Sequence, residues 1–249
     1  MTAPSYRWLL GRGLLAGAAA GLTGGVVGLL VVEPVIRAAL EVEEARAAAA
    51  GDAHHEELFS RPVQVFGGVA AAILVGLALG AVFATVLAAT VDRRPDRPFA
   101  RSLYAAAVGF AAVGLLPAIK YPANPPGVGD PATVNQRTLS YLTLIAAGLA
   151  LAYGAGRLDA VLSARTGWSQ PSRTTAVTAA VVTAVALILL VWPATPDTVP
   201  ADIPADLLWR FRLASLAELA AIWAVLGFTF GLLTQRRATV PAASAPATA

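Results

Sequence analysis

Six apolar stretches, each long enough to cross a bilayer, take up roughly half of this 249-residue chain. They run from Trp8 to Val32, Phe66 to Val91, Leu103 to Ile119, Leu139 to Ala155, Thr174 to Trp192 and Leu213 to Leu233. About 17 to 25 apolar residues in a helix cover the hydrocarbon layer, where a chain must satisfy its backbone polar groups internally. Hydrophobic residues make up 57% of the chain and charged residues 13%, against about a quarter charged in a soluble domain, so soluble enzyme folds are excluded. The expectation is an all-α protein: a polytopic integral membrane helical bundle of six transmembrane helices in three hairpins. It forms a single transmembrane domain over residues 1–238 with an outer loop at 33–65. An Ala/Pro/Ser-rich tail, residues 239–249, is expected to be disordered. The first stretch is too long for the apolar region of a signal peptide and has no convincing cleavage site, so it is read as a helix with Arg12 snorkelling toward the interface.

The basic residues orient the chain. Connectors on one side carry eleven arginines, including Arg7, Arg93, Arg94, Arg157, Arg173 and Arg236, against three aspartates. The other side carries seven basic and eleven acidic residues. Positive charge collects on the cytoplasmic side, so the expected location is the cytoplasmic membrane, crossed several times, with both termini cytoplasmic and an acidic outer face. The net charge of +3 then reflects arginines at helix ends and not a basic face for nucleic acid, and no nucleic-acid partner is expected; the lipid bilayer is the first partner. Each outgoing helix meets proline at the outer side, at Pro34, at Pro117 with Pro122 beyond, and at Pro193 with Pro196 beyond, where a helix is expected to stop and turn.

Cysteine is absent and Met1 is the only methionine, so a metal site must be built from imidazole, carboxylate, carbonyl or water. Both histidines lie in Gly51-Asp52-Ala53-His54-His55-Glu56-Glu57 on the outer side. His54, His55, Glu56 and Glu57 suit divalent cobalt, nickel, zinc or iron. Adjacent histidines diverge by about 100° on a helix, so one site using both needs a loop or a second chain. The alternative is a solvated acidic loop. The residues before it, Val35, Ile36, Leu40 and Val42 beside Arg37, Glu41, Glu44 and Arg46, suggest an amphipathic helix lying along the outer interface.

The stretch Lys120 to Pro131 holds four more prolines after Lys120 and two glycines. It is either an outer gate, with Lys120 and Asp130 as its charged groups, or an exposed connector. Glu218 lies about two turns inside the last apolar helix, where a charge costs roughly 2.5 to 3.5 kcal/mol on insertion scales. It serves either an ion pathway or a structural pair with an arginine entering from the same outer side, Arg61, Arg137 or Arg212. Glycines at 13, 17, 21 and 25, with Gly76 and Gly80 in the second helix, share a face through four-residue spacing. They allow close backbone approach within one bundle, or association with a second chain. No P-loop, HExxH or GxSxG motif occurs, and no enzyme activity is expected.

RGLLAGAAAGL, EPVIRAALEVEEA, HHEELFSRPVQ, KYPANPPGVGDP and VPADIPADLLWRFRLASL together resemble the CbtA family of predicted cobalt transporter subunits, from Arg12 to Gly231. The resemblance implies a multi-pass inner-membrane protein acting in cobalt uptake, alongside CbtB, a small one-helix subunit with a histidine-rich end. On this reading the chain is a membrane transporter subunit admitting a divalent transition metal, cobalt foremost and nickel second, with no resident cofactor. His54, His55, Glu56 and Glu57 capture the ion, Glu41 and Glu44 assist, and Glu218, with Asp130 and Lys120, serves the pathway or charge compensation. The alternative is a non-conducting accessory or metal-binding subunit that docks a partner transporter protein.

Overall fold

The structure, a computed structural model, describes residues 4–51, 59–90, 97–165, 167–195 and 198–238. Among the described residues six helices, one for each apolar stretch, are long and apolar enough to cross a membrane, and no strand occurs. The helices are α1 (Tyr6–Val27), α2 (Glu33–Ala50), α3 (Arg61–Ala89), α4 (Pro98–Gly109), α5 (Leu116–Lys120), α6 (Val134–Arg165), α7 (Gln170–Val191) and α8 (Ala205–Ala238). Local sequence sets several starts: Ser60 and Ser169 occupy the N-cap positions of α3 and α7, and Pro62 and Pro171 follow in the first turn. Proline there loses only an N–H that has no helical partner. The expected disordered tail, 239–249, lies outside the described residues.

Pro34 does not stop its helix, contrary to the sequence expectation, and Pro117 lies inside a helix that ends at Lys120, before Pro122. α1 runs into α2 through a π-helical segment, Gly28–Val32, and α4 runs into α5 through another, Phe110–Leu115. Proline normally breaks an α-helix because it lacks an N–H and its ring clashes with the carbonyl four residues earlier. For Pro34 and Pro117 those carbonyls belong to Leu30 and Val113, both inside π segments, where the α-helical ladder is already interrupted. Pro122 and Pro193 each follow a true end, with Tyr121 capping α5 and Trp192 in extended conformation after α7. The amphipathic helix expected along the interface is therefore a direct continuation of α1, closed at Gly51 by a left-handed turn (φ 72°).

The chain forms two compact units. The first comprises Met1–Leu29, Glu57–Ala107 and Ala220–Ala249. Its centre is a glycine seam between α1 and α3. A Cβ on Gly13 would overlap the Gly80 carbonyl oxygen, one on Gly17 the Gly76 carbonyl oxygen, and one on Gly21 would lie 2.7 Å from the Ile73 Cα. The four-residue spacing thus packs backbone on backbone. Phe83 and Phe230 meet edge-to-face at 5.4 Å, and the fully buried Ser102 donates from Oγ to the Gly227 carbonyl at 2.7 Å.

The second unit comprises Leu30–Glu56 and Val108–Leu219. Val35, Ala39 and Val42 recur at three- and four-residue steps on α2, and Val35 and Ala39 pack with Leu207 and Phe211 of α8. The amphipathic pattern is thus satisfied by a neighbouring helix. Gly148 of α6 admits the backbone of Ala112, whose carbonyl would lie 2.7 Å from an added Cβ. Arg173 of α7 reaches Asp159 of α6 at 3.5 Å and donates to Ser163 Oγ at 3.0 Å.

Candidate functional site

The segment after α5, residues 121–130, is held by donors and acceptors from three other parts of the second unit. Lys120 Nζ donates to the Leu189 carbonyl at 2.9 Å, closing the C-terminal end of α7, where a cation also complements the helix dipole. Tyr121 Oη donates to the Pro193 carbonyl at 2.7 Å. Arg212 Nη2 donates to Asn124 Oδ1 at 3.2 Å, and Arg46 Nη1 to the Gly127 carbonyl at 3.2 Å. Gly127, at φ 74°, takes a conformation suited to glycine and lies against the Glu43 side chain. Asp130 Oδ1 accepts from Ala132 N at 2.8 Å and caps the short 3₁₀ turn Pro131–Thr133. Pro125 is fully buried. The proline-rich stretch is therefore a packed hub, and Lys120 and Asp130 are bonded within it.

Arg46 also donates from Nε to Asp202 Oδ2 at 2.7 Å. That hydrogen bond holds the Asp202 carboxyl below the usual carboxylate range. A depressed folded pKa adds stability that is complete above the unfolded value and is lost as pH falls through the folded one. Asp202→Asn should therefore lower the thermal midpoint at neutral pH, and the gap from wild type should narrow on acidification. A gap that stays constant from neutral to strongly acid pH in tryptophan-monitored melts would show that the ion pair adds nothing.

The expected metal ligands are distributed differently. Glu41 and Glu44 are exposed on α2, three residues apart and hence on one face. His54, His55, Glu56 and Glu57 lie outside the described residues. Among the described residues no three His, Asp or Glu side chains come together as a metal ion would require.

Two carboxylates stand out at the level of the spanning helices. Glu218 on α8 is half-buried, and no hydrogen bond or ion pair reaches its carboxylate among the described residues. The arginines weighed as its partners are engaged elsewhere: Arg61 with Gln64 at 2.8 Å, Arg137 with the Asp130 carbonyl at 3.4 Å, and Arg212 with Asn124. The second, Glu33, was counted from sequence only as one of the outer acids. It is 7% exposed and accepts from Arg37 Nε at 2.9 Å, one turn on, while Arg37 itself is largely exposed. The sequence signal was Arg37 four residues after Glu33, visible only once the helix is known to continue past Pro34.

The family model described as "Probable cobalt transporter subunit (CbtA)" matches residues 6–235, nearly the whole chain. No curated protein and no solved structure matches.

Proposed function

From the premise that this chain belongs to the CbtA family of probable cobalt transporter subunits, a multi-pass membrane protein with six spanning helices, we propose that it carries a divalent transition metal, cobalt foremost, into the cell. The reading places both termini on the cytoplasmic side, following the arginine distribution. Capture belongs to His54, His55, Glu56 and Glu57 with Glu41 and Glu44, and transit past the apolar level to Glu218, with Glu33 as a second buried carboxylate. Lys120 and Asp130 fix the hub around which the outer ends of the helices are organised.

The observation that carries the reading is Glu218. An ionised carboxylate within an apolar helix needs a compensating charge, and no protein cation supplies one among the described residues. A transported divalent cation does so transiently.

A second reading has its own support, since the family is described as a subunit, which implies a partner. Here the chain docks a metal-binding protein, such as a CbtB-like one-helix subunit, and conducts nothing alone. Radiolabelled cobalt flux into proteoliposomes separates the two. Flux with this chain alone, reduced several-fold at limiting metal by His54→Ala with His55→Ala, is the expected result. Flux that appears only after a second subunit is added assigns the accessory role, and unchanged flux in the double variant removes the histidines from the capture site.

A further inference from the structure

A cavity of about 440 Å³ in the second unit is formed by the hub segment, the first turns of α6, the connector after α7 and Arg212 of α8. Two guanidinium groups, Arg137 and Arg212, line it together with Asn124 and Tyr141, and among the described residues no Asp or Glu does. The two guanidinium groups offer an entering oxyanion paired N–H donors of matching charge. Arg212 is pre-positioned by its bond to Asn124 Oδ1, and its Nε is buried with no hydrogen-bond partner among the described residues. A buried charged donor left unsatisfied is costly; an entering oxyanion removes that cost. With its carbonyl oxygen already accepting from Arg212, Asn124 keeps its amide N–H groups to donate.

The cavity is also amphipathic. Val134 and Leu142 from α6 provide an apolar wall beside the arginines. Several of its lining residues, Tyr121, Arg137, Thr195 and Arg212 among them, fall within a few positions of where the apolar runs ending at Ile119 and Trp192 stop and those beginning at Leu139 and Leu213 start. That is the level at which a spanning helix meets the headgroup region.

We propose that this cavity binds a phosphate group, held by Arg137 and Arg212, with the apolar wall receiving the body of the molecule that bears it. Planar guanidinium forks match phosphate oxygens in pairs. The same chemistry is presented by the headgroup of an anionic phospholipid and by inorganic phosphate, and one experiment separates these sources.

The full chain, purified in neutral detergent, is melted with tryptophan fluorescence as the readout. The additions are phosphatidylglycerol, diacylglycerol with the same acyl chains, inorganic phosphate, and chloride at matched ionic strength. The expected result is a saturable rise in Tm of about 2–4 °C, the shift that 1 kcal/mol of linkage gives a chain of this size. A rise with phosphatidylglycerol but not with diacylglycerol or inorganic phosphate identifies a lipid. A rise with inorganic phosphate beyond matched chloride identifies a free anion. Arg137→Gln with Arg212→Gln should abolish either shift. Should that pair fail to fold, Thr138→Glu, which places a carboxylate in the cavity from an exposed position on α6, should abolish it in a folded protein. The proposal is overturned by equal responses to the two lipids with none to phosphate, or by a full shift in a folded variant of either kind.

Discussion

Gly17→Ala should unfold or fail to assemble this protein, while Gly11→Ala, six residues earlier on the same helix, should leave it intact. The two changes add the same methyl group. At Gly17 it would overlap the Gly76 carbonyl oxygen and lie 3.0 Å from the Gly80 Cα, whereas at Gly11 nothing lies within 4 Å. Overpacking a core usually costs about 1–3 kcal/mol because neighbouring side chains shift. Here the neighbours are backbone atoms of a second helix, so the whole helix must move, and we expect about 3 kcal/mol or more. Gly11→Ala should instead gain up to about 1 kcal/mol from helix propensity. Folded yield by size-exclusion chromatography and thermal melts of both variants decide the matter; equal shifts in the same direction would mean that the seam does not hold α1 to α3.

The second large effect is expected at Glu218. Glu218→Gln should cut cobalt flux by tenfold or more, equivalent to about 1.4 kcal/mol at the rate-limiting step, while leaving the protein as stable as wild type or more so. The sign of the stability change is diagnostic. If the carboxylate were half of a structural ion pair, neutralising it would leave a buried cation unpaired and destabilise the fold. Since no such cation reaches it among the described residues, removing its charge only relieves the cost of holding an anion in an apolar layer. Normal flux in a well-folded Glu218→Gln protein would remove this glutamate from the pathway. Glu33→Gln provides the contrast: Arg37, its partner, is mostly exposed, so the fold should survive, and loss of flux would give α2 a part in transit.

What the sequence made legible follows from which forces act locally. Spans are set by length and apolarity, so all six were readable, and so was the glycine face, because four-residue spacing fixes a helical face whatever packs on it. The turn inferred at Pro34 is absent, and the one at Pro117 comes only before Pro122. The proline rule presumes an α-helical ladder, and a π segment just upstream removes the bond and the clash on which that rule rests. The burial of Glu33 was not legible for the same reason, since an acid after the presumed end of a helix looks exposed. The hub around Gly127 joins residues some 70 to 160 positions apart, and no periodicity announces such contacts. The sequence left a choice between gate and connector for residues 120–131; the structure adds that the segment has fixed partners. His54 to Glu57, where the chemistry was clearest in sequence, lie outside the described residues, so flux measurements must test them.

The glycine seam also limits how α1 and α3 can slide. Opposed positions step by four residues along both helices, Gly13 against Gly80 and Gly17 against Gly76, so the carbonyl ridges of one helix sit in notches that recur only once every four residues. At 1.5 Å of rise per residue, the next matching position is about 6 Å away, and every smaller displacement drives a ridge into backbone. Gradual piston-like shear between α1 and α3 is thereby forbidden. Any larger motion of either helix must carry the two as one mechanical part.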